Sequence, residues 1–134
     1  MDVNVLGILN LAREVLPAMM SAGGGRVVVL GSAAGRMGGV VTGPHYEASK
    51  GATHALVRWL ALRTAPFGVT VNGIAPGSVR SAMLQDQPFS ADKVPLGRLA
   101  EPHEIGWPIA FLCSDAASYM CGAVLDVNGG LTFS

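Results

Sequence analysis

Charge is what this chain has least of. Of its 134 residues, 13% are Asp, Glu, Lys or Arg, where an ordinary domain carries about 25%. So little charge covers little solvent-facing surface, and part of that surface is expected to be buried against another subunit or a further segment. Nine basic and nine acidic residues cancel to a formal net charge of zero. Drawing in a nucleic acid or an anionic membrane takes a basic excess, so neither is expected as a partner. Cysteine is scarce too. Cys113 and Cys121 make neither a disulfide framework nor a metal-ligand spacing. Cys113 falls in an apolar helical stretch and is expected to be a small buried hydrophobe. The N-terminus lacks a basic n-region, which argues against a signal peptide. No uncharged apolar run approaches the ~20 residues of a membrane span. A reducing compartment, most simply the cytoplasm, is the expected setting.

What is present is a core and an alternation. Half of the residues are hydrophobic, enough for one domain. Residues 3 to 21 place Val5, Leu9, Val15, Leu16 and Met19 at roughly helical spacing. Pro17 is expected to kink or end that helix, and Gly23-Gly24-Gly25 to stop it. Arg26 to Leu30 is β-branched and uniformly apolar after its arginine, which suits a strand buried on both faces of a parallel sheet. A glycine-rich loop follows from Gly31 to Gly43. Pro44 suits a first helical turn, and Ala52, Ala55, Leu56, Trp59 and Leu60 continue a helix to about Thr64.

Val69 to Ala75 reads as a second strand, broken by Pro76-Gly77. Residues 78 to 100 read as a long irregular stretch with Pro88 and Pro95, and such stretches are usually functional. A third helix is expected from Pro102 to about Ser114, with Glu101 and Glu104 favourable at its N-terminus. Val124 to Val127 is a last short strand. The order helix, strand, helix, strand, helix, strand predicts an α/β layer with a parallel sheet and flanking helices. Three strands make a narrow sheet, and no strand with a glycine-rich turn precedes the first helix. The chain therefore reads as one partial domain over residues 1–134, the C-terminal half of a doubly wound, Rossmann-type sheet without its dinucleotide-binding half. In that case residues 26 to 30 form an open strand edge that invites pairing.

The chemistry concentrates in Tyr46 and Lys50, four apart and so on one helical face, fourteen residues after Ser32. A lysine ammonium beside a phenol favours the phenolate and lowers the tyrosine's pKa from its ordinary ~10. Such a tyrosine can exchange a proton with an alcohol or carbonyl near neutral pH. Ser32 follows a strand directly, and strand C-terminal ends are where ligands bind in open α/β sheets. Together these groups suit the interconversion of a ketone and an alcohol, which calls for a hydride donor. His45 precedes Tyr46 and points about 100° away around the helix, so packing or a loop hydrogen bond is expected of it. The glycines of Gly31 to Gly39 are a poor phosphate cradle, because a gap and Pro44 separate them from the helix. Gly31-Ser32-Ala33-Ala34-Gly35 also lacks the Gly-x-Ser-x-Gly spacing of a hydrolase elbow.

With these motifs in view, residues 2 to 132 resemble a short-chain dehydrogenase/reductase. Asp2-Val3-Asn4-Val5-Leu6-Gly7 is similar to the family's helix segment with the catalytic asparagine. Ser32 matches its serine, and Tyr46 with Lys50 its Tyr-x-x-x-Lys pair. Val71-Asn72-Gly73-Ile74-Ala75-Pro76-Gly77 is similar to the segment leading to the nicotinamide, and Asn128-Gly129-Gly130 to the C-terminal glycine pair. The resemblance implies Tyr46 as general acid/base, Lys50 as its partner and holder of the nicotinamide ribose, Ser32 as positioner of the substrate oxygen, and Asn4 as anchor of a relay water. It implies cofactor contacts from Pro76, Gly77, Val79 and Ser81, the last standing where the family usually has threonine. It implies NADP or NAD, with NADP ahead, and a homodimer or homotetramer.

The family's glycine-rich turn, its adenosine-ribose residue and its Asn-Asn-Ala-Gly segment are missing, and the substrate loop over residues 82 to 95 is short. The stretch from Pro95 to Gly130 is similar to 3-oxoacyl-acyl-carrier-protein reductases, though sugar and polyol dehydrogenases share much of it. A small ketone, alcohol or acyl thioester is the implied substrate. The alternative is a non-catalytic fragment or assembly module that folds or oligomerises without binding cofactor.

Overall fold

The computed structural model describes residues 1–37, 42–81 and 91–133. Gly38, Gly39, Pro88 and most of the expected substrate loop lie outside the described residues. Three strands, β1 (Gly25–Leu30), β2 (Val69–Pro76) and β3 (Val124–Val127), form a parallel sheet in the order β1-β2-β3. The register runs from Gly25 opposite Val69 to Leu30 opposite Ile74, and from Gly73 opposite Val124 to Pro76 opposite Val127. The connections are helical, as parallel neighbours require. Helix α1 spans Gly7–Ala22, α2 Pro44–Thr64 and α3 Pro102–Cys113.

Alternate strand residues point to opposite faces of the sheet, and two apolar clusters follow from that. On one face Val29, Val69 and Val71 meet Leu16 of α1 and Val57, Leu60 and Ala61 of α2. On the other, Val28, Ile74 and Leu125 meet Ile105 and Leu112 of α3. Central β2 is buried from Val71 to Ala75, in line with its apolar run.

Two expectations need correction. Strand β1 is an edge strand among the described residues, so its apolar run is mostly half-buried and Leu30 is exposed rather than covered on both faces. Cys113 is exposed, since it falls on the outer side of α3 while its neighbour Leu112 is buried. Helix α1 continues past Pro17 and stops at Gly23, as the glycine run predicts. The hydrogen bond lost at Pro17 is offset because Leu16, Met19 and Met20 pack onto the core around it. The buried face of α2 is Ser49, Thr53, His54, Val57, Leu60, Ala61 and Thr64, whereas Ala55 and Trp59 face outward. Polar residues hold that inner face because each finds a partner: Ser49 Oγ donates to Tyr46 O, Thr53 Oγ1 to Ser49 O, and Thr64 Oγ1 to Val69 O.

The helical run Asp2–Ser21 is long and apolar enough to cross a membrane by length and composition. It carries Arg13 and Glu14 at its middle, and a charge at that depth opposes insertion by about 3 kcal/mol.

Candidate active site

The first five helical residues, Asp2–Leu6, are wound as a π-helix. Such turns widen a helix and shift its hydrogen bonds by one residue. Asn4 faces α2 from this turn. Asn4 Nδ2 donates to Ser49 Oγ at 3.0 Å, and Asn4 O accepts from Thr53 Oγ1 at 3.2 Å. Asn4 thus meets α2 one residue from Lys50 in sequence.

Tyr46 occupies the first turn of α2 and is half-buried. Lys50, one turn on, holds its Nζ 5.8 Å from the centre of the Tyr46 ring, the outer reach of an ammonium–aromatic attraction. Lys50 Nζ also donates to Leu30 O at 3.3 Å, which pins the helix to the end of β1. Burial lowers the Lys50 pKa below the ordinary lysine value. With one of its three N–H groups on Leu30, two are left for other acceptors.

Ser32 stands two residues beyond Leu30 in extended backbone. Its Oγ accepts from Ala34 N at 3.1 Å and opens the short 3₁₀ turn Ala33–Gly35. The hydroxyl hydrogen is left to donate elsewhere. That turn lies directly on α2: a Cβ on Gly35 would come within 2.7 Å of the Lys50 carbonyl carbon. The structure therefore brings Asn4, Ser32, Tyr46 and Lys50 around the N-terminal half of α2 and the end of β1. His45 is exposed, with its ring against Gly43 and no hydrogen bond from its side chain among the described residues.

Sequence reasoning missed two other parts of this region. His54, one turn beyond Lys50, is 3% exposed and reaches the backbone of Ser32. Arg36, just after the 3₁₀ turn, pairs with Asp126 of β3 at 2.6 Å and donates to Val124 O at 2.9 Å. Only the arginine beside the glycine loop and the lone acid in an apolar strand could have signalled that pair.

Pro76 is the last residue of β2, and Gly77 and Val79 follow it. Gly77 N donates to Val127 O. Val79 forms an isolated parallel bridge with Ala100, made by Arg80 N to Ala100 O and Ala100 N to Ser78 O. In such a bridge the central residue's own N–H and C=O point away from the partner, so those of Val79 are directed to the other side. Ser81 is exposed at the end of this segment. The donor set fits the nicotinamide end of a dinucleotide: two lysine N–H groups for vicinal hydroxyls, and a backbone N–H and C=O pair for a carboxamide. An open cleft of about 630 Å³ lies beside Ser78, Asp126 and Asn128, and neither Ser32, Tyr46 nor Lys50 lines it. No group of three metal-ligating side chains occurs among the described residues.

A family model described as enoyl-(acyl carrier protein) reductase matches residues 1–132. The chain is 43% identical to a galactitol 2-dehydrogenase (L-tagatose-forming) of Cereibacter sphaeroides, over 98% of this chain and 55% of that protein. A gluconate 5-dehydrogenase from Burkholderia cenocepacia J2315, solved in complex with NADP and tartrate, superposes with a TM-score of 0.92 at 30% identity, covering 98% of this chain and 54% of that one. A 3-oxoacyl-[acyl-carrier protein] reductase from Brucella melitensis, solved with bound NAD, gives 0.91 at 31% identity over 99% and 50% of the two chains. The chain spans about half the length of the curated relatives it matches.

Proposed function

The chain belongs to the short-chain dehydrogenase/reductase family, and from that premise we propose that it carries the catalytic half of an NAD(P)-dependent oxidoreductase interconverting a ketone and a secondary alcohol. The observation that carries this reading is Lys50, whose Nζ is held 5.8 Å from the Tyr46 ring while bonded to Leu30 O beside Ser32.

In the reductive direction, Ser32 Oγ and Tyr46 Oη donate hydrogen bonds to the substrate carbonyl oxygen. A nicotinamide bound beside them would supply the hydride for the carbonyl carbon. As the carbon–oxygen π pair moves onto oxygen, that oxygen takes the Tyr46 proton and leaves a phenolate. The Lys50 ammonium offsets the phenolate charge at close range, and its two remaining N–H groups hold the cofactor ribose. Lys50, made more acidic by burial, passes one of these protons on toward Tyr46 and regains one from solvent through a water held at Asn4. Among the described residues nothing donates to Asn4 Oδ1, which leaves it to hold that water. In oxidation each step reverses. Val79 and Ser81 would hold the nicotinamide carboxamide, with Pro76 and Gly77 beside it.

Within this reading the substrate is a 3-oxoacyl thioester or a comparable small ketone, NADPH stands ahead of NADH, the assembly is a homodimer or homotetramer, and the setting is the cytoplasm. The exposed apolar side chains Leu62, Trp59, Trp107 and Phe111 support an assembly. A second reading is a non-catalytic assembly module. It is favoured by the same exposed apolar side chains, which call for a partner and not for a cofactor. Fluorescence titration of the protein with NADPH and NADH separates the two. Saturable micromolar binding is expected for the oxidoreductase, and no binding into the millimolar range would leave the assembly module.

A further inference from the structure

His54 is a buried histidine with a defined job for one ring nitrogen. Its Nε2 lies 3.4 Å from the backbone nitrogen of Ser32. An amide N–H can only donate, so Nε2 must carry a lone pair, and in a neutral ring the proton then resides on Nδ1. The approach depends on Gly31: a Cβ there would fall 2.5 Å from Nε2 and 3.0 Å from Ile74 O. Gly31 N itself donates to Ile74 O at 2.8 Å, which carries the sheet ladder to the edge of the site. The ring therefore grips the chain where the β1 ladder ends and the Ser32 turn begins.

We propose that His54 is a positioning residue that sets the backbone of Ser32 through an Nε2-acceptor hydrogen bond, and that protonation of His54 releases it. This rests on the oxidoreductase reading of Ser32. An imidazolium would turn an N–H donor toward the amide donor of Ser32, so the contact changes from attraction to repulsion.

The surroundings favour the neutral ring. Burial, then Arg36 and then Arg58 lower the His54 pKa from its ordinary 6.5, with a smaller push the same way from Lys50. Asp126 acts in the opposite sense, and Arg36, its ion-pair partner, opposes it. These are the charged groups facing the ring from α2, from the turn after β1 and from β3. The neutral form is favoured in the folded state, so the contribution is complete above pH 6.5 and is lost as pH falls through the lowered value. Ser32 is thus held firmly at neutral pH and loosened by acid.

The test needs no turnover to begin. Long-range proton–nitrogen NMR on the protein should show His54 Nε2 as an unprotonated acceptor at pH 7, and an Nε2–H tautomer overturns the proposal. His54→Leu removes the acceptor, and His54→Gln returns one near the same place. Ser32 amide exchange is expected to quicken about tenfold in His54→Leu and to recover in His54→Gln. Equal exchange in a folded His54→Leu overturns the bond. In the ketone-reduction assay, His54→Leu should lower kcat about tenfold with cofactor affinity unchanged, and His54→Gln should restore kcat and lack the acid limb. Unchanged kcat in His54→Leu, with Tyr46→Phe inactive, sinks the positioning role alone. Full turnover by Tyr46→Phe sinks the oxidoreductase reading and leaves the His54–Ser32 bond standing.

Discussion

Arg36 and Asp126 are 90 residues apart in the chain and 2.6 Å apart in the fold. Their ion pair ties the loop that follows Ser32 to the far edge strand of the sheet. Arg36 adds a bond to Val124 O, so one side chain clamps two backbone stretches. The Ser32 turn is therefore fixed from both sides, by α2 below Gly35 and by β3 through Arg36.

Loss of that clamp has a predictable cost. The two side chains are 21% and 17% exposed, between a surface pair and a buried one. Asp126 Oδ1 is already buried without a partner, so removing Arg36 strands the whole carboxylate. Arg36→Ala is expected to destabilise the fold by about 2 kcal/mol, measured by urea denaturation. A change below a few tenths would show that the pair contributes nothing.

The contact of the turn with α2 leaves no room for a side chain. Gly35→Ala places a methyl within 2.7 Å of the Lys50 carbonyl carbon, and both are backbone-held. The turn must lift from the helix, at about 1–3 kcal/mol, carrying Ser32 away from Lys50. Thermal unfolding should register the loss, and kcat should fall further than stability alone explains.

The start of α3 gives an acid dependence with a definite sign. Arg98 Nη1 and Nη2 grip the Glu104 carboxylate at 2.7 Å each, and Glu101 N donates to it as well. The Arg98 hydrogen bonds first, then that backbone bond, pull the Glu104 pKa down to about 2 from 4.5. A depressed carboxylate stabilises the fold fully above pH 4.5, and the contribution disappears as pH falls toward 2. Melting temperature against pH should therefore drop less steeply between these values in Glu104→Gln than in the parent. Identical slopes would contradict the clamp.

The local parts of this site were legible because their geometry is local. Tyr46 and Lys50 share a face by helical spacing alone, and Ser32 follows a strand that its β-branched run announces. The parallel sense of the sheet followed from alternation. Contacts made across the chain were not legible. His54 reads as one polar residue on a helix until Gly31 is seen to admit its ring. Asn4 meets Ser49 across 45 residues of chain, and no residue pattern announces that contact. The inner face of α2 was not legible, because Ser49, Thr53 and Thr64 are satisfied by backbone carbonyls and burial there does not follow hydropathy. Leu30 is exposed because burial of an edge strand depends on its neighbours, which its own residues do not encode.

The central claim is that Tyr46 moves the proton. Comparing NADPH-dependent ketone reduction by the parent protein and Tyr46→Phe tests it most directly, with cofactor titration as the companion reading. Removing one hydroxyl leaves the ring and its contact with Lys50 in place, so cofactor affinity is expected to hold. Turnover is expected to fall at least about a hundredfold. Turnover by Tyr46→Phe within a few-fold of the parent would contradict the account.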